Sequence, residues 1–233
     1  MIKYGIDVSE HQGDIDWTAF HTDFAIIRAG YGREQSQKDK KFEQNYIGAK
    51  ANGLPCGAYW YSYAMREDEA RKEAAVCLEV LKGKQFEYPI YFDVEEQKTL
   101  ALGKEKVSAI ITAFLTELEK AGYFCGLYMS AYPLKNYVTD TVRKRYAVWV
   151  AHYDVDKPDY NGQYGMWQKS SHGKLNGING NVDINNCYVD YPAIIKAKGD
   201  NGFAKPTAST AKKTVKATII IDDHEYSGLL TED

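Results

Sequence analysis

The chain has 233 residues, 44% hydrophobic and 26% charged, the proportions of an ordinary globular protein with room for one large α/β domain and a small appendage. A net charge of −3 and a pI near 6.0 exclude bulk electrostatic attraction to nucleic acid or an anionic membrane. No apolar run approaches the length of a membrane span, so membrane insertion is not expected.

The opening Met1-Ile-Lys-Tyr-Gly-Ile-Asp carries no basic-plus-apolar leader, and the expectation is a chain made in the cytoplasm without a signal peptide. Short β-rich runs then follow one another: 4–9, 24–30, 56–63, 88–95, 124–130, 146–153, 164–170 and 182–187. Several are continuously apolar, as strands buried on both faces are. Helical patterns separate the early ones, over 39–52, 66–82 and 104–121, and each is followed by a glycine (Gly53, Gly83, Gly122) that suits a helix C-terminus. Strand-helix alternation that later gives way to strands joined by loops predicts a parallel α/β barrel with degenerate later helices. Cys56, Cys77, Cys125 and Cys187 are scattered without Cys-x-x-Cys spacing and are expected as reduced, buried hydrophobes.

From about Ala197 the composition changes. Residues 197–217, rich in Ala, Lys, Gly, Ser and Thr, read as a linker after a domain spanning 1–196. Within the 218–233 tail, 218–230 reads as two short strands around an Asp-Asp-His-Glu turn. Such a hairpin is too small to be stable alone. Its apolar residues therefore need a partner: the barrel, the surface on which the protein acts or, the option favoured here, the same segment of another copy.

Segment 88–96 ends in Asp93, Glu95 and Glu96. Side chains two apart on a strand share a face, so Asp93 and Glu95 project together with Cα atoms roughly 6.5 Å apart, and Glu96 points away into a structural role. Two carboxyls held that close do not both ionise easily, which is the arrangement that glycoside cleavage uses. Asp-x-Glu alone also fits a solvated strand end. Asp7 at the end of the first strand and Asp183 at the start of the last add two more acids at the barrel face where functional groups collect. Tyr61, Tyr128, Trp149, Tyr153 and Gln168 fall at equivalent places, and the chain's 19 tyrosines suit a wet cleft that stacks on sugar rings. Arg28 either pairs with Asp7 or Asp183 or belongs to a structural ion pair in the barrel mouth. His11 alone makes no ligand set, so neither metal nor cofactor is expected.

Tyr4-Gly-Ile-Asp7-Val-Ser9, then His11-Gln-Gly and Ile15-Asp-Trp17, resembles the opening of the glycoside hydrolase family 25 lysozymes. Phe24 to Gly30, Gly57 to Ser62, Pro89 to Glu95, Trp149 to Tyr153, Trp167-Gln168 and Val182-Asp-Ile-Asn185 continue that pattern in order across roughly residues 3–192. The resemblance implies an irregular (β/α)5β3 barrel of TIM type. It also implies an N-acetylmuramidase that cuts the β-1,4 bond between N-acetylmuramic acid and N-acetylglucosamine in bacterial peptidoglycan. By the same resemblance Glu95 is the general acid, its proton affinity raised by Asp93 and burial, and Asp93 orients the 2-acetamido group or stabilises charge. Asp7 and Asp183 supply further negative potential. A bacteriophage endolysin, held in the host cytoplasm until lysis and then acting on the wall, is the biological expectation. A bacterial autolysin with the same chemistry, a barrel that binds carbohydrate without cleaving it, and a metal-dependent hydrolase are the alternatives.

Overall fold

A computed structural model describes residues 1–205, 214–221 and 224–231. Eight strands close into a barrel in chain order: β1 (Lys3–Val8), β2 (Phe24–Tyr31), β3 (Cys56–Tyr61), β4 (Ile90–Asp93), β5 (Cys125–Ser130), β6 (Ala147–Ala151), β7 (Met166–Gly173) and β8 (Val182–Cys187). The helices are α1 (Phe42–Ala51), α2 (Glu67–Leu81), α3 (Gln97–Leu100), α4 (Lys104–Lys120), α5 (Ala131–Tyr137), α6 (Asp140–Arg145) and α7 (Tyr191–Lys198). Gly53 and Gly122 take φ of +66° and +84° after α1 and α4. Their N–H groups close the last turns onto Lys50 and Glu119, a backbone shape that costs glycine little.

β1 through β7 run parallel, but β8 is antiparallel to both β7 and β1. The reversed β8 departs from the parallel barrel read from the strand runs, while the closed eight-stranded α/β barrel itself is as expected. β8 follows β7 through the short segment 174–181, which is too short for the crossover that a parallel return requires. Two short helices, α5 and α6, stand between β5 and β6, and no helix lies between β6 and β7. The later helices are degenerate, as read from the sequence.

Strand alternation divides the core in two. Ile6, Val8, Ala25, Ile27, Ala58, Trp60, Ile90, Phe92, Leu127, Met129, Val148 and Val150 belong to the outer cluster shared with the helices. The intervening positions Phe24, Ile26, Tyr91, Tyr128, Trp149, Ala151, Met166 and Cys187 form a second cluster that fills the lumen. α4 contributes Val107, Ile110, Ile111, Phe114, Leu115 and Leu118, the i, i+3, i+4, i+7 stripe of a helix laid on a sheet. All four cysteines are buried and free. Among the described residues no helix is long and apolar enough to cross a membrane.

The barrel's base is finished by residues beyond α7. Buried Asn201 accepts from the Phe124 N–H at 2.7 Å and donates Nδ2 to the Phe86 and Tyr88 carbonyls at 3.1 and 2.9 Å. The segment read as a linker therefore starts within α7 and takes part in the base, while 206–213 lie outside the described residues. β9 (Thr214–Ile221) and β10 (His224–Thr231) pair antiparallel, so the hairpin expected over 218–230 begins at Thr214, and its turn residues lie outside the described residues.

Phe92 and Phe114 stack with centroids 3.8 Å apart where β4 meets α4. Phe114→Ala is expected to cost about 3–5 kcal/mol of unfolding free energy, measured as a lower denaturant midpoint with an unchanged slope.

Candidate active site

The alternation that fills the lumen with aromatics also sets the acids. Ile6 and Val8 face the helices, so Asp7 faces inward, and Phe92 and Val94 do the same for Asp93. Asp7 pairs in register with Asp183 across β1 and β8, and Asp93 pairs with Tyr61 and Tyr128. Because β8 is reversed, its first residues lie at the same mouth as the last residues of β1, which is how an acid at the start of a strand joins acids at strand ends.

Asp7 is 4% exposed and is held by neutral groups. Its Oδ2 accepts from Gln168 Nε2 at 2.8 Å and from Asn185 Nδ2 at 2.7 Å. Both amides are locked from behind. The Tyr128 and Tyr153 hydroxyls each donate to Gln168 Oε1 at 2.6 Å, and Trp149 Nε1 donates to Asn185 Oδ1 at 2.8 Å. Burial first, and then Asp183, push the Asp7 carboxyl well above the ordinary range, against the pull of Asn185 and Gln168. Asp183, its partner in register, is raised as well, mainly by burial.

Asp93 is equally buried, and its Oδ1 meets no hydrogen-bond donor among the described residues. Burial, Glu95 and Asp7 together raise it well above the usual carboxylate range, with Arg28 opposing. Glu95, half-buried beyond the end of β4, accepts from Ser130 Oγ at 3.3 Å. Its proton affinity is raised first by burial, then by Asp183 and Glu96, while Ser130 lowers it. Burial, one of the two causes expected for Glu95, comes first, and the repulsion between Asp93 and Glu95 registers on Asp93, the deeper of the two. Glu96 accepts from the Tyr61 hydroxyl at 2.8 Å and lies close enough for its charge to add to the rise of Glu95.

Arg28 pairs with neither Asp7 nor Asp183. Its Nε donates to Asp39 at 2.7 Å and its Nη2 to Glu10 at 3.0 Å. The β2–β3 register shifts between Arg28 and Gly30, a bulge of the kind that re-aims a side chain beside a site. The ion-pair alternative read from the sequence is the one the fold adopts.

The structure thus brings together Asp7, Asp93, Glu95, Asp183, Tyr61, Tyr128, Trp149, Tyr153 and Gln168 around one mouth. Sequence reading passed over Asn185, which Val182-Asp-Ile-Asn alternation places on the face of Asp183, and Tyr59, which shares a face with Tyr61. The Tyr59 phenol is driven well up by burial and by Asp7, with Arg28 opposing. Among the described residues no group of three or more His, Cys, Asp or Glu side chains is placed to hold a metal ion.

Folding acids whose native proton affinity is raised has a definite sign. The native state binds more protons than the unfolded chain, so stability is present below the unfolded pKa near 4 and falls as pH rises through the native value. Asp93→Asn removes one such group. The variant is expected to melt at a higher temperature than the parent at pH 7–8, with the difference shrinking towards pH 4; thermal scans across that range check it.

The model of Glycosyl hydrolases family 25 matches residues 6–178. The uncharacterized protein YegX of Escherichia coli (strain K12) is 31% identical over 196 residues, 78% of this chain and 68% of that protein. The autolytic lysozyme of Clostridium acetobutylicum is 29% identical over 183 residues, 77% of this chain and 54% of that protein. Among solved structures, the CTP1L endolysin superposes with a TM-score of 0.75 at 26% identity, covering 84% of this chain and 70% of that one. The modular autolysin LytC from Streptococcus pneumoniae, solved with a synthetic peptidoglycan ligand, gives 0.70 at 29% identity, covering 80% and 47%. An eight-stranded barrel with its carboxyls gathered at one mouth, matched by that family over most of its length, belongs to glycosyl hydrolases family 25, and the chain is a peptidoglycan-cleaving glycoside hydrolase of the muramidase type.

Proposed function

We propose that Glu95 is the general acid of this muramidase, and that the observation carrying the assignment is its place: half-buried at the mouth, protonated more readily than an ordinary Glu, and beside a deeper acid with an unpartnered oxygen. Glu95 gives its proton to the leaving glycosidic oxygen as the C1–O bond breaks. Asp93 Oδ1 accepts from the N–H of the 2-acetamido group and aims its carbonyl oxygen at C1, so that a cyclic oxazolinium forms on the substrate. Water then opens the ring at C1 and returns its proton to Glu95, with net retention of configuration. Asp7 and Asp183 keep negative charge beneath the cationic sugar, and Tyr61, Tyr128, Trp149, Tyr153 and Gln168 line the walls.

The role is that of an endolysin, made in the host cytoplasm and acting on the wall at lysis; the likeness to the CTP1L endolysin supports it. The tail then serves to pair copies of the chain. The antiparallel pairing of β9 with β10 supplies the two strands that such an association would use.

Glu95→Gln keeps shape and removes the transferable proton. It is expected to lower the release of new muramic acid reducing ends from purified walls by roughly 10²–10⁴; activity within a few-fold of the parent would sink the assignment. New amino groups among the parent's products would instead mean cleavage of the peptide. Light scattering at micromolar concentration should find the full chain associated and a chain ending at Lys205 monomeric, and two monomers would end the pairing idea.

A further inference from the structure

Asp7 is locked by two amides, but Asp93 and Glu95 have no such side-chain brace. Asp93 Oδ1 meets no donor, and among the described residues the one hydrogen bond to the Glu95 carboxyl is the 3.3 Å contact from Ser130 Oγ. Their aim therefore comes from the backbone of 93–96. One turn, residues 62–65 after β3, holds that backbone at both ends. Ser62 N–H donates to the Asp93 carbonyl at 2.9 Å, one step past the last β3–β4 pair, Tyr61 with Asp93. At the other end, buried Thr99 on α3 donates Oγ1 to the Ala64 carbonyl at 3.0 Å. α3 begins directly after Glu96, whose carbonyl takes the Leu100 N–H at 2.9 Å.

The turn itself hangs from α2. Glu73, fully buried, accepts from Ser62 Oγ at 2.8 Å with one oxygen and from the Tyr63 N–H at 2.9 Å with the other. Ser62 Oγ accepts in turn from the Ala64 N–H at 3.1 Å, and Glu69, one helical turn before Glu73, accepts from the Met65 N–H at 2.8 Å. The two glutamates differ in their company. Arg33 and Arg66 both pair with Glu69 at 3.1 Å, whereas among the described residues no cation pairs with Glu73. Burial pushes the Glu73 carboxyl up to about 7, against the pull of Ser62, the Tyr63 N–H and the more distant Arg33. A carboxylate buried without an ion-pair partner costs stability. What it supplies, and an apolar side chain of the same size does not, is a rigid pair of acceptors for the turn.

We propose that Glu73 is a positioning residue for the cleavage: through the 62–65 turn it fixes the backbone that carries Asp93 and Glu95. The proposal rests on the reading of Glu95 as the general acid. Without the two acceptors of Glu73, Ser62 and the Tyr63 N–H lose their anchor, the 94–96 span loosens at both ends, and Glu95 gains access to water. Two consequences follow for catalysis. Misplacement of a reacting group by about 1 Å costs on the order of a hundredfold in rate, and a partial loosening costs less. Burial is also the first cause of the high proton affinity of Glu95, so solvation lowers it, and activity that needs a protonated Glu95 is lost at a lower pH. Asp93, Glu96, Asp183 and the phenols of Tyr61, Tyr128 and Tyr153 surround Glu95 with or without Glu73, so such a shift reports solvation and not a lost charge.

The test is kcat and KM across pH on soluble glycan strands, with melting temperatures, for the parent, Glu73→Leu, Glu73→Gln and Thr99→Val. Glu73→Leu removes both acceptors, Glu73→Gln keeps one for the Tyr63 N–H, and Thr99→Val cuts the far anchor without touching Glu73. Glu73→Leu should lower kcat roughly tenfold with KM near that of the parent, and move the high-pH limb of kcat towards acid. Glu73→Gln should recover part of both effects, and Thr99→Val should reproduce them in weaker form. A purely structural Glu73 would change the melting temperature and leave the kcat of the folded protein and its pH limb where they were. That result in Glu73→Leu overturns the proposal; if Glu73→Leu does not fold, the same result in Thr99→Val overturns it. Near-parental release of reducing ends by Glu95→Gln would overturn the general-acid reading instead.

Discussion

The arrangement on which the site depends is the carboxyl of Asp7, sealed in the barrel lumen and held in place by neutral donors. A cation beside it would fix its charge and quench the negative potential of the mouth. Two amides instead supply hydrogen bonds without charge, and Trp149, Tyr128 and Tyr153 fix which end of each amide faces the acid. The result is an acid that burial and Asp183 raise well above the ordinary carboxylate range. Crowding of Asp93 against Glu95 and Asp7 follows the same logic one strand pair away. Repulsion of this kind destabilises the native state, and the large outer cluster between barrel and helices offsets it.

Closure by a reversed β8 is what completes the constellation. A parallel eighth strand would present its start at the base, and Asp183 and Asn185 would lie at the wrong end for Asp7. The antiparallel return sets Asp7 opposite Asp183 and Gly5 opposite Asn185. Arg28 belongs to a different part of the design. Bound to Asp39 and Glu10, it ties the loop after β1 to the segment before α1, and so fixes one bank of the cleft while modestly opposing the rise of Asp93.

Much of this was legible in the residues because period-two alternation is a strong signal. Tyr-Gly-Ile-Asp, Ile-Tyr-Phe-Asp and Val-Asp-Ile-Asn each state which side chain faces in, and the long stripe of α4 states which faces the sheet. The direction of β8 was not legible, since a short apolar run carries no sign of its orientation. The partner of Arg28 was hidden for a related reason: Asp39 lies in a stretch rich in Lys and Gln that reads as solvated, and only the fold brings it under β2. The small helices α3, α5, α6 and α7 were missed because tertiary contacts, rather than a repeating apolar stripe, hold so few turns. The base contributed by Asn201 was masked by a composition that resembles a linker, although a single buried amide with bonds to three backbone groups anchors it.

The central claim is that the mouth is a crowded set of carboxyls, of which Asp7 and Asp93 are raised well above the ordinary carboxylate range by burial and by their acidic neighbours, with Glu95 raised beside them. Residue-resolved carboxyl carbon titration by NMR, on the full chain labelled at Asp and Glu, tests it most directly. The account predicts that the Asp7 and Asp93 carbons remain in the protonated form well above the ordinary range, that Glu95 titrates above exposed glutamates, and that Asp7 and Asp183 shift together. Four independent transitions near about 4 would contradict it.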